Sequence, residues 1–384
     1  MKENIVYIGY NLPDKSPAGV RVFANAKALK DYGYDVNIIS KSDSEQEVRT
    51  DVLDGMDTWH IPRPKSKMEW VNNLVNANQY TNILDQINDV RAVIAYELPA
   101  ISFLSLRKYC QRRGISIICE VSEWQKWENL GNLSGLARLV RVIDISVSMK
   151  YAYKKSDGII VTSSYFKNHF NNGAPVLVVP TLQYQKIDVT KGVDDQGFRR
   201  FVYAGQLGYR KDLLNDIIKA FYVLRDRDFV FNILGLTYDE YVERFPDEEQ
   251  YLKAINKDQE RIIFHGKVPH KDVLNMVGNS DFALIIRESI RRNNVGFPTK
   301  FGESINCGTP VIVSDFSDVV YYTEKYNVGI VTDITSIENG IRKALEMDSK
   351  ELSSMRERCK ECDAFYYTGH IQELGEFVNK IINK

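Results

Sequence analysis

The chain has 384 residues, is 44% hydrophobic and 26% charged, and carries a formal net charge of −1. That balance is globular rather than disordered, leaves no global basic field for nucleic acid, and gives room for two domains with separate cores. Its five cysteines, odd in number and scattered, argue against a disulfide framework and for a reducing, cytoplasmic setting, and no apolar run reaches membrane-spanning length.

The opening MKENIVYIGYNLP has only a short apolar run before Asn11 and Pro13, so it reads as a first strand rather than a secretory leader. Residues 5–8 form that strand, 9–19 a loop, and 20–32 a helix with Val20, Phe23, Ala24, Ala28 and Leu29 at helical spacing. Gly33 stops the helix and 36–39 is the next strand, a unit that predicts a parallel sheet. Gly19 either lets a ligand approach the backbone at the helix start or only shapes the loop. Residues 51–63 read as a strand with its loop, 68–88 as one long polar helix, and 92–96 as a strand leading to Glu97. A helix over 98–113 carries Arg107, Lys108, Arg112 and Arg113 near its end. The strand at 115–119 runs into Glu120, Glu123, Trp124 and Trp127. Carboxylates and indoles just past a strand's carboxyl end stand where open α/β sheets bind ligands and suit sugar recognition, unless the tryptophans are purely structural. The 130–155 region is helical, with five cations among apolar residues; it is either a solvated face or a surface for anionic lipid. Strands at 158–162 and 176–179 complete a first domain over 1–182.

The polar run 183–197 lacks a period and reads as a linker. A second α/β series over 198–369 follows, with strands at 201–204, 229–234, 262–265 and 282–286 and helices at 211–224 and 271–278. A last helix at 370–384, apolar on one face, is expected to pack back on the first domain. Within the second domain, VGFPTKFGESINCGTPVI at 295–312 predicts a short helix between Pro298 and Gly308, then a buried strand. Its amino end carries Lys300 with Glu303 a turn further, which suits an anion and sugar hydroxyls, or is an ordinary β/α connection with solvated charges. A second strand–glycine loop–helix start, GQLGYRK at 205–211, ends in Lys211. Both loops face the carboxyl end of one sheet, an arrangement for a diphosphate. There is no Walker loop and no GxGxxG. Asp226-Arg227-Asp228 is a DxD placed as a turn at the amino end of a strand. The CxxC of Cys359 and Cys362 has no second pair, and no histidine cluster suggests a metal.

The ESINCGTPVI of 303–312 resembles the EAMAxGxPVI motif of the retaining family 4 glycosyltransferases of GT-B fold. GQLGYRK resembles that family's GRLxxxKG, and Pro17–Gly19 its glycine-rich first loop, so the likeness spans essentially the whole chain. The resemblance implies two tandem Rossmann-like α/β domains facing across a cleft, the second holding a nucleotide diphosphate sugar, UDP-linked foremost, and the first an acceptor glycan or lipid-linked acceptor. It implies metal-independent transfer with retention and no cofactor. Lys211, Arg210 and Lys300 would stabilise the leaving diphosphate with N–H groups near Gly208 and Gly19. Glu303 would hold the ribose, and Gly235 and Val268 would line the base pocket. Gly205, Gln206, Gly296, Phe297, Pro298 and Thr299 fall in the same donor motifs, and Glu97, Glu123 and Trp124 would face the acceptor.

Three departures stand out. The family's first glutamate, eight positions before Glu303, is Val295; its loop arginine is Gln206; and its glycine after the lysine is Asp212. Similarity to a GFPTK-type branch, which makes bacterial capsule, exopolysaccharide or O-antigen, implies that Arg287, Asn294 and Lys300 take over the lost polar roles. It also implies a cytoplasmic enzyme; membrane attachment stays open, a lipid-linked acceptor favouring contact of the 107–113 and 138–155 regions with anionic lipid at the inner face of the plasma membrane. A nucleotide-sugar 2-epimerase on the same plan, or a non-catalytic nucleotide-sugar-binding subunit, remain open beside it.

Overall fold

A computed structural model describes residues 2–10, 16–42, 47–124, 135–171, 173–187, 189, 197–205 and 212–384, with the side chains of Tyr10, Lys67 and Leu136 excepted. The chain divides into two compact units, Met1–Tyr184 with Tyr366–Lys384, and Gln185–Phe365. The return to the first unit thus falls at Tyr366, ahead of the expected 370, and a bridge from Gln183 to Tyr366 marks it. Ile187 and Val189, from the stretch read as a linker, pack on the second unit's core.

In the first unit the order is β1 (Asn4–Tyr10), α1 (Pro17–Tyr32), β2 (Asp35–Ser42), β3 (Arg49–Leu53), β4 (Met56–Pro62), α2 (Lys67–Val75), α3 (Asn78–Leu84), β5 (Val90–Tyr96), α4 (Ala100–Arg112), β6 (Ser116–Val121), α5 (Gly135–Val147), β7 (Gly158–Val161), α6 (Ser164–His169) and β8 (Val176–Val178). Among the described residues these strands make an eight-stranded sheet, β3-β4-β2-β1-β5-β6-β7-β8. All neighbours are parallel except β3 and β4. Ile5 through Ile8 are buried without alternation, as befits a parallel strand covered on both faces.

Three local departures from the sequence reading have plain causes. The helix α1 begins at Pro17 rather than 20, because Ser16 caps it and Pro17 is preset for a first turn. The strand read over 51–63 is a hairpin: Asp54 and Gly55 adopt φ of 50° and 69°, the primed turn that joins antiparallel strands. The single helix read over 68–88 is two, since Asn76 is extended and interrupts it. Ser66 and Glu69 form a capping box at the start of the first.

In the second unit the order is β9 (Arg199–Ala204), α7 (Leu214–Val223), β10 (Phe229–Leu234), α8 (Tyr238–Arg244), α9 (Glu249–Ile255), β11 (Ile262–Phe264), α10 (His270–Gly278), β12 (Phe282–Ile285), α11 (Arg291–Asn294), α12 (Thr299–Asn306), β13 (Val311–Val313), α13 (Val319–Tyr326), β14 (Gly329–Val331), α14 (Ile337–Glu346) and α15 (Ser349–Glu361). The sheet, β11-β10-β9-β12-β13-β14, is parallel throughout. Alternate residues of β9 feed separate cores. Phe201 and Tyr203 pack with Phe221, Phe231 and Ile341, whereas Val202 packs with Phe301, Ile305 and Val311. Cys359 and Cys362 lie in the latter core, where burial pushes both thiols up. Asp226-Arg227-Asp228 sits in the turn between α7 and β10.

The chain ends in α16 (Ile371–Ile382), whose Leu374, Val378 and Ile381 are buried in the first unit's core. Gly375 is required there, because a Cβ at this position would collide with the ring of Tyr32 on α1. No described helix is long and apolar enough to cross a membrane.

Candidate functional site

The second unit gathers its charges around one carboxylate. Pro298 precedes α12, whose Phe301 and Ile305 anchor it in the core and leave Lys300 in its first turn. The Lys300 Nζ donates to Asp212 Oδ2 at 3.0 Å and lies 4.3 Å from the centroid of the Tyr203 ring. Arg287, just past β12, donates from Nε to Asp212 Oδ1 at 2.6 Å. The Tyr203 hydroxyl donates to Asp212 Oδ2 at 2.8 Å. Arg287 is itself held by Ser314, whose Oγ accepts from the Arg287 N–H (2.8 Å) and donates to its carbonyl (2.6 Å). Gly205 makes room: a Cβ there would collide with the Lys300 ammonium.

Burial pushes the Asp212 carboxyl up, but the Lys300 ammonium and then the Arg287 guanidinium outweigh it and hold the group well below the usual carboxylate range. The Tyr203 phenol is raised well above its ordinary value, by burial first and then by the Asp212 carboxylate. Two cations against one carboxylate leave this group with a net positive charge at the carboxyl end of a parallel sheet, where such sheets bind ligands.

Glu303, one turn past Lys300, has an Oε1 3.1 Å from His270 Nε2 and a side chain 22% exposed. The loop before α12 is pinned by Ser317, whose N–H donates to Asn294 Oδ1 (2.9 Å) and whose hydroxyl donates to the Gly296 carbonyl (2.8 Å). Val295 is buried, so the position where the resembled family keeps its first glutamate belongs to the apolar interior. Phe297 stacks on Phe365 and meets Phe301 and Tyr322 edge-on. Gly235, at φ 97°, follows β10 and donates to the Gly266 carbonyl at 2.7 Å; Val268 is half-buried against the core. The structure therefore brings Lys300 and Arg287 together and sets Glu303 a turn away. Gln206, Gly208, Arg210 and Lys211 lie outside the described residues.

In the first unit, Glu97 adopts φ 47° and its Oε1 accepts from the N–H and hydroxyl of Ser122 and the N–H of Glu123, each at 2.9 Å. That carboxylate shapes the chain leaving β6. Trp124 stacks on Phe166 at 6.0 Å with an interplanar angle of 8° and meets His169 edge-on. Glu97 and Glu123 line a small, open recess with Val121, Ile145, Ser148, Met149 and Tyr153. Ser148 opens a π-helical turn that follows α5. Gly19 lies in the first turn of α1, its N–H given to Ser16 Oγ at 3.0 Å.

Glu120, read in the sequence as lying just past the strand's end, falls instead within β6 and is fully buried, the centre of an interior network. Glu120 Oε1 accepts from Arg21 Nε (2.5 Å) and Asn25 Nδ2 (3.0 Å), and Glu120 Oε2 from the Tyr7 hydroxyl. Arg21 Nη1 donates to the carbonyls of Val179 and Pro180. Its other trace in the sequence is the pair Arg21 and Asn25, four apart on an otherwise buried helix face. Tyr203 has no signal in the sequence, and Asp212 stands out there only as a departure from the resembled family's glycine.

The family model described as glycosyl transferases group 1 matches residues 186–362, nearly the whole of the second unit. No curated protein matches the sequence significantly. Among solved structures, sucrose-phosphate synthase from Thermosynechococcus elongatus is similar at 13% identity, covering 100% of both chains with a TM-score of 0.66. An E. coli trehalose-6-phosphate structure bound with UDP-2-fluoro glucose is 11% identical over 99% of this chain and 98% of that one, with a TM-score of 0.67. A glycosyltransferase from Rickettsia africae is 16% identical over 100% and 99%, with a TM-score of 0.66. The fold is accordingly that of the GT-B glycosyltransferases, two parallel-sheet α/β domains.

Proposed function

We propose that this protein is a retaining, metal-independent glycosyltransferase. It moves a sugar from a nucleoside diphosphate sugar, UDP-linked foremost, to a glycan or lipid-linked acceptor in bacterial surface polysaccharide synthesis. The observation that carries the reading is the cation pair of Lys300 and Arg287 at the carboxyl end of the sheet, within the residues that match the group 1 model. Breaking the bond to a nucleoside diphosphate develops negative charge on the leaving phosphate. Preorganised cations there stabilise the transition state more than the ground state. Lys211 and Arg210 would add to that charge, and the Glu97–Glu123 recess of the first unit would take the acceptor's hydroxyls.

A thermal-shift screen against UDP-, GDP- and dTDP-sugars tests the donor; a chain stabilised by none of them does not bind one. Glu303, the ribose ligand in this reading, gives a sharper test. Glu303→Ala should weaken UDP binding by roughly 10- to 100-fold, the scale of hydrogen bonds to a charged group, and unchanged affinity by calorimetry removes that role. Incubation with donor alone separates a transferase from a 2-epimerase, because only the latter accumulates an isomeric nucleotide sugar.

The acceptor side also suits a membrane. Residues 100–113 and 135–155 hold nine cations and one acid, Asp144, in a chain of net charge −1. Asp144 is turned inward, accepting from the Ala100 N–H. On the same two segments, Ile101, Leu139 and Ile143 are each more than half exposed. This surface would rest on anionic lipid and meet a lipid-linked acceptor there. Flotation with phosphatidylglycerol vesicles should recover the protein at low salt and lose it at high salt. Phosphatidylcholine vesicles should not recover it, and Leu139→Glu with Ile143→Glu should abolish recovery. Absence of salt-sensitive binding removes the membrane contact.

A further inference from the structure

We propose that Asp212 is a positioning residue of the donor site, a buried carboxylate that fixes Lys300 and Arg287 side by side for the diphosphate. The inference rests on the reading of the second unit as a nucleoside diphosphate site. Asp212 itself does not meet the ligand: its side chain is 3% exposed, and its oxygens accept from Arg287, Lys300 and Tyr203. Those three contacts define its work. Lysine and arginine side chains are long and flexible, and two like charges in a poorly solvated place repel one another. One carboxylate between them offsets that repulsion and holds both heads before a ligand arrives. Each cation is also backed from a second side, Lys300 by the Tyr203 ring and Arg287 by Ser314 and the face of Phe316. A glycine at 212, as in the resembled family, has no oxygen to do this. The exchange of glycine for Asp212 and of the first glutamate for buried Val295 therefore read as one rearrangement, in which a carboxylate moves from the ligand's side of the cations to the interior side.

The test sets positioning against simple Coulomb attraction. Asp212→Asn keeps the shape and raises the site's positive charge, so attraction alone predicts tighter binding of UDP. Positioning predicts the reverse, a loss of UDP affinity of about tenfold or more by calorimetry, the scale of a lost charge-assisted contact. In the same variant, the NMR resonance of 13C-dimethylated Lys300 should move while that of exposed Lys253 stays, a change that general loss of stability does not confine to one lysine. Should Asp212→Asn fail to fold, Tyr203→Phe carries the test. It keeps every charge but frees the carboxylate on one side, and a loss of about threefold supports the inference while unchanged affinity overturns it. A wild-type chain that binds none of UDP, GDP and dTDP overturns the donor reading and this inference with it. Wild-type binding with Asp212→Asn equal or tighter overturns this inference alone.

Discussion

Lys300→Ala should lower turnover by roughly 10²–10³-fold, the usual loss for one group that stabilises developing charge. Lys300 is the more exposed of the two clustered cations, its side chain 19% exposed against 7% for Arg287. It also sits in the first turn of α12, where the helix dipole adds to its field. Removing it leaves Asp212 paired with Arg287 alone, so the group's net positive charge falls to nothing. The fold should tolerate the change, because alanine is a good helix former and Asp212 keeps Arg287 and Tyr203. Lys300→Arg should restore little, since the slot that Gly205 leaves open is sized to an ammonium and a planar fork is wider. Steady-state rates on the donor found by screening decide the matter. A folded Lys300→Ala chain within a few-fold of wild type would take Lys300 out of the reaction.

Much of this architecture is legible in the linear chain because parallel strands are covered on both faces. Runs such as Ile5 to Ile8 and Phe282 to Ile285 are continuously apolar, and helical spacings separate them. Lys300 and Glu303 were visible for a related reason: both lie in one short helix, framed by Pro298 and Gly308. What was hidden is mostly long-range. Asp212 meets Arg287 and Lys300 across 75 and 88 positions, and Arg21 meets Glu120 across 99. No local period marks such pairs, and a lone aspartate in a glycine loop looks like a solvated turn residue. Other misses were local. The Asp54-Gly55 turn was written in the chain but lay inside a stretch read as one strand. The helices α8 and α9 are seven residues each, too short for an apolar period to emerge around Tyr241, Leu252 and Ile255.

Glu120→Ala should destabilise the first unit by about 3–5 kcal/mol, the range for removing one partner of a buried ion pair. Glu120 is fully buried, Arg21 is 2% exposed, and α1 and β6 are joined by their 2.5 Å contact. Loss of the carboxylate leaves a guanidinium inside the core with the Val179 and Pro180 carbonyls as its described partners. It also deprives the Tyr7 hydroxyl and the Asn25 amide of their shared acceptor. Removing both charges is a different matter: Arg21→Leu with Glu120→Leu should cost much less than Glu120→Ala, because neither partner is then left buried and uncompensated. The readout can be confined to one unit. All four tryptophans, Trp59, Trp70, Trp124 and Trp127, belong to the first unit, so urea unfolding followed by their fluorescence reports its transition alone. The midpoint should fall with the slope unchanged, and UDP affinity, a property of the second unit in this reading, should stay at the wild-type value. A shift worth less than about 1 kcal/mol would mean that the network is relaxed by water rather than held by its charges.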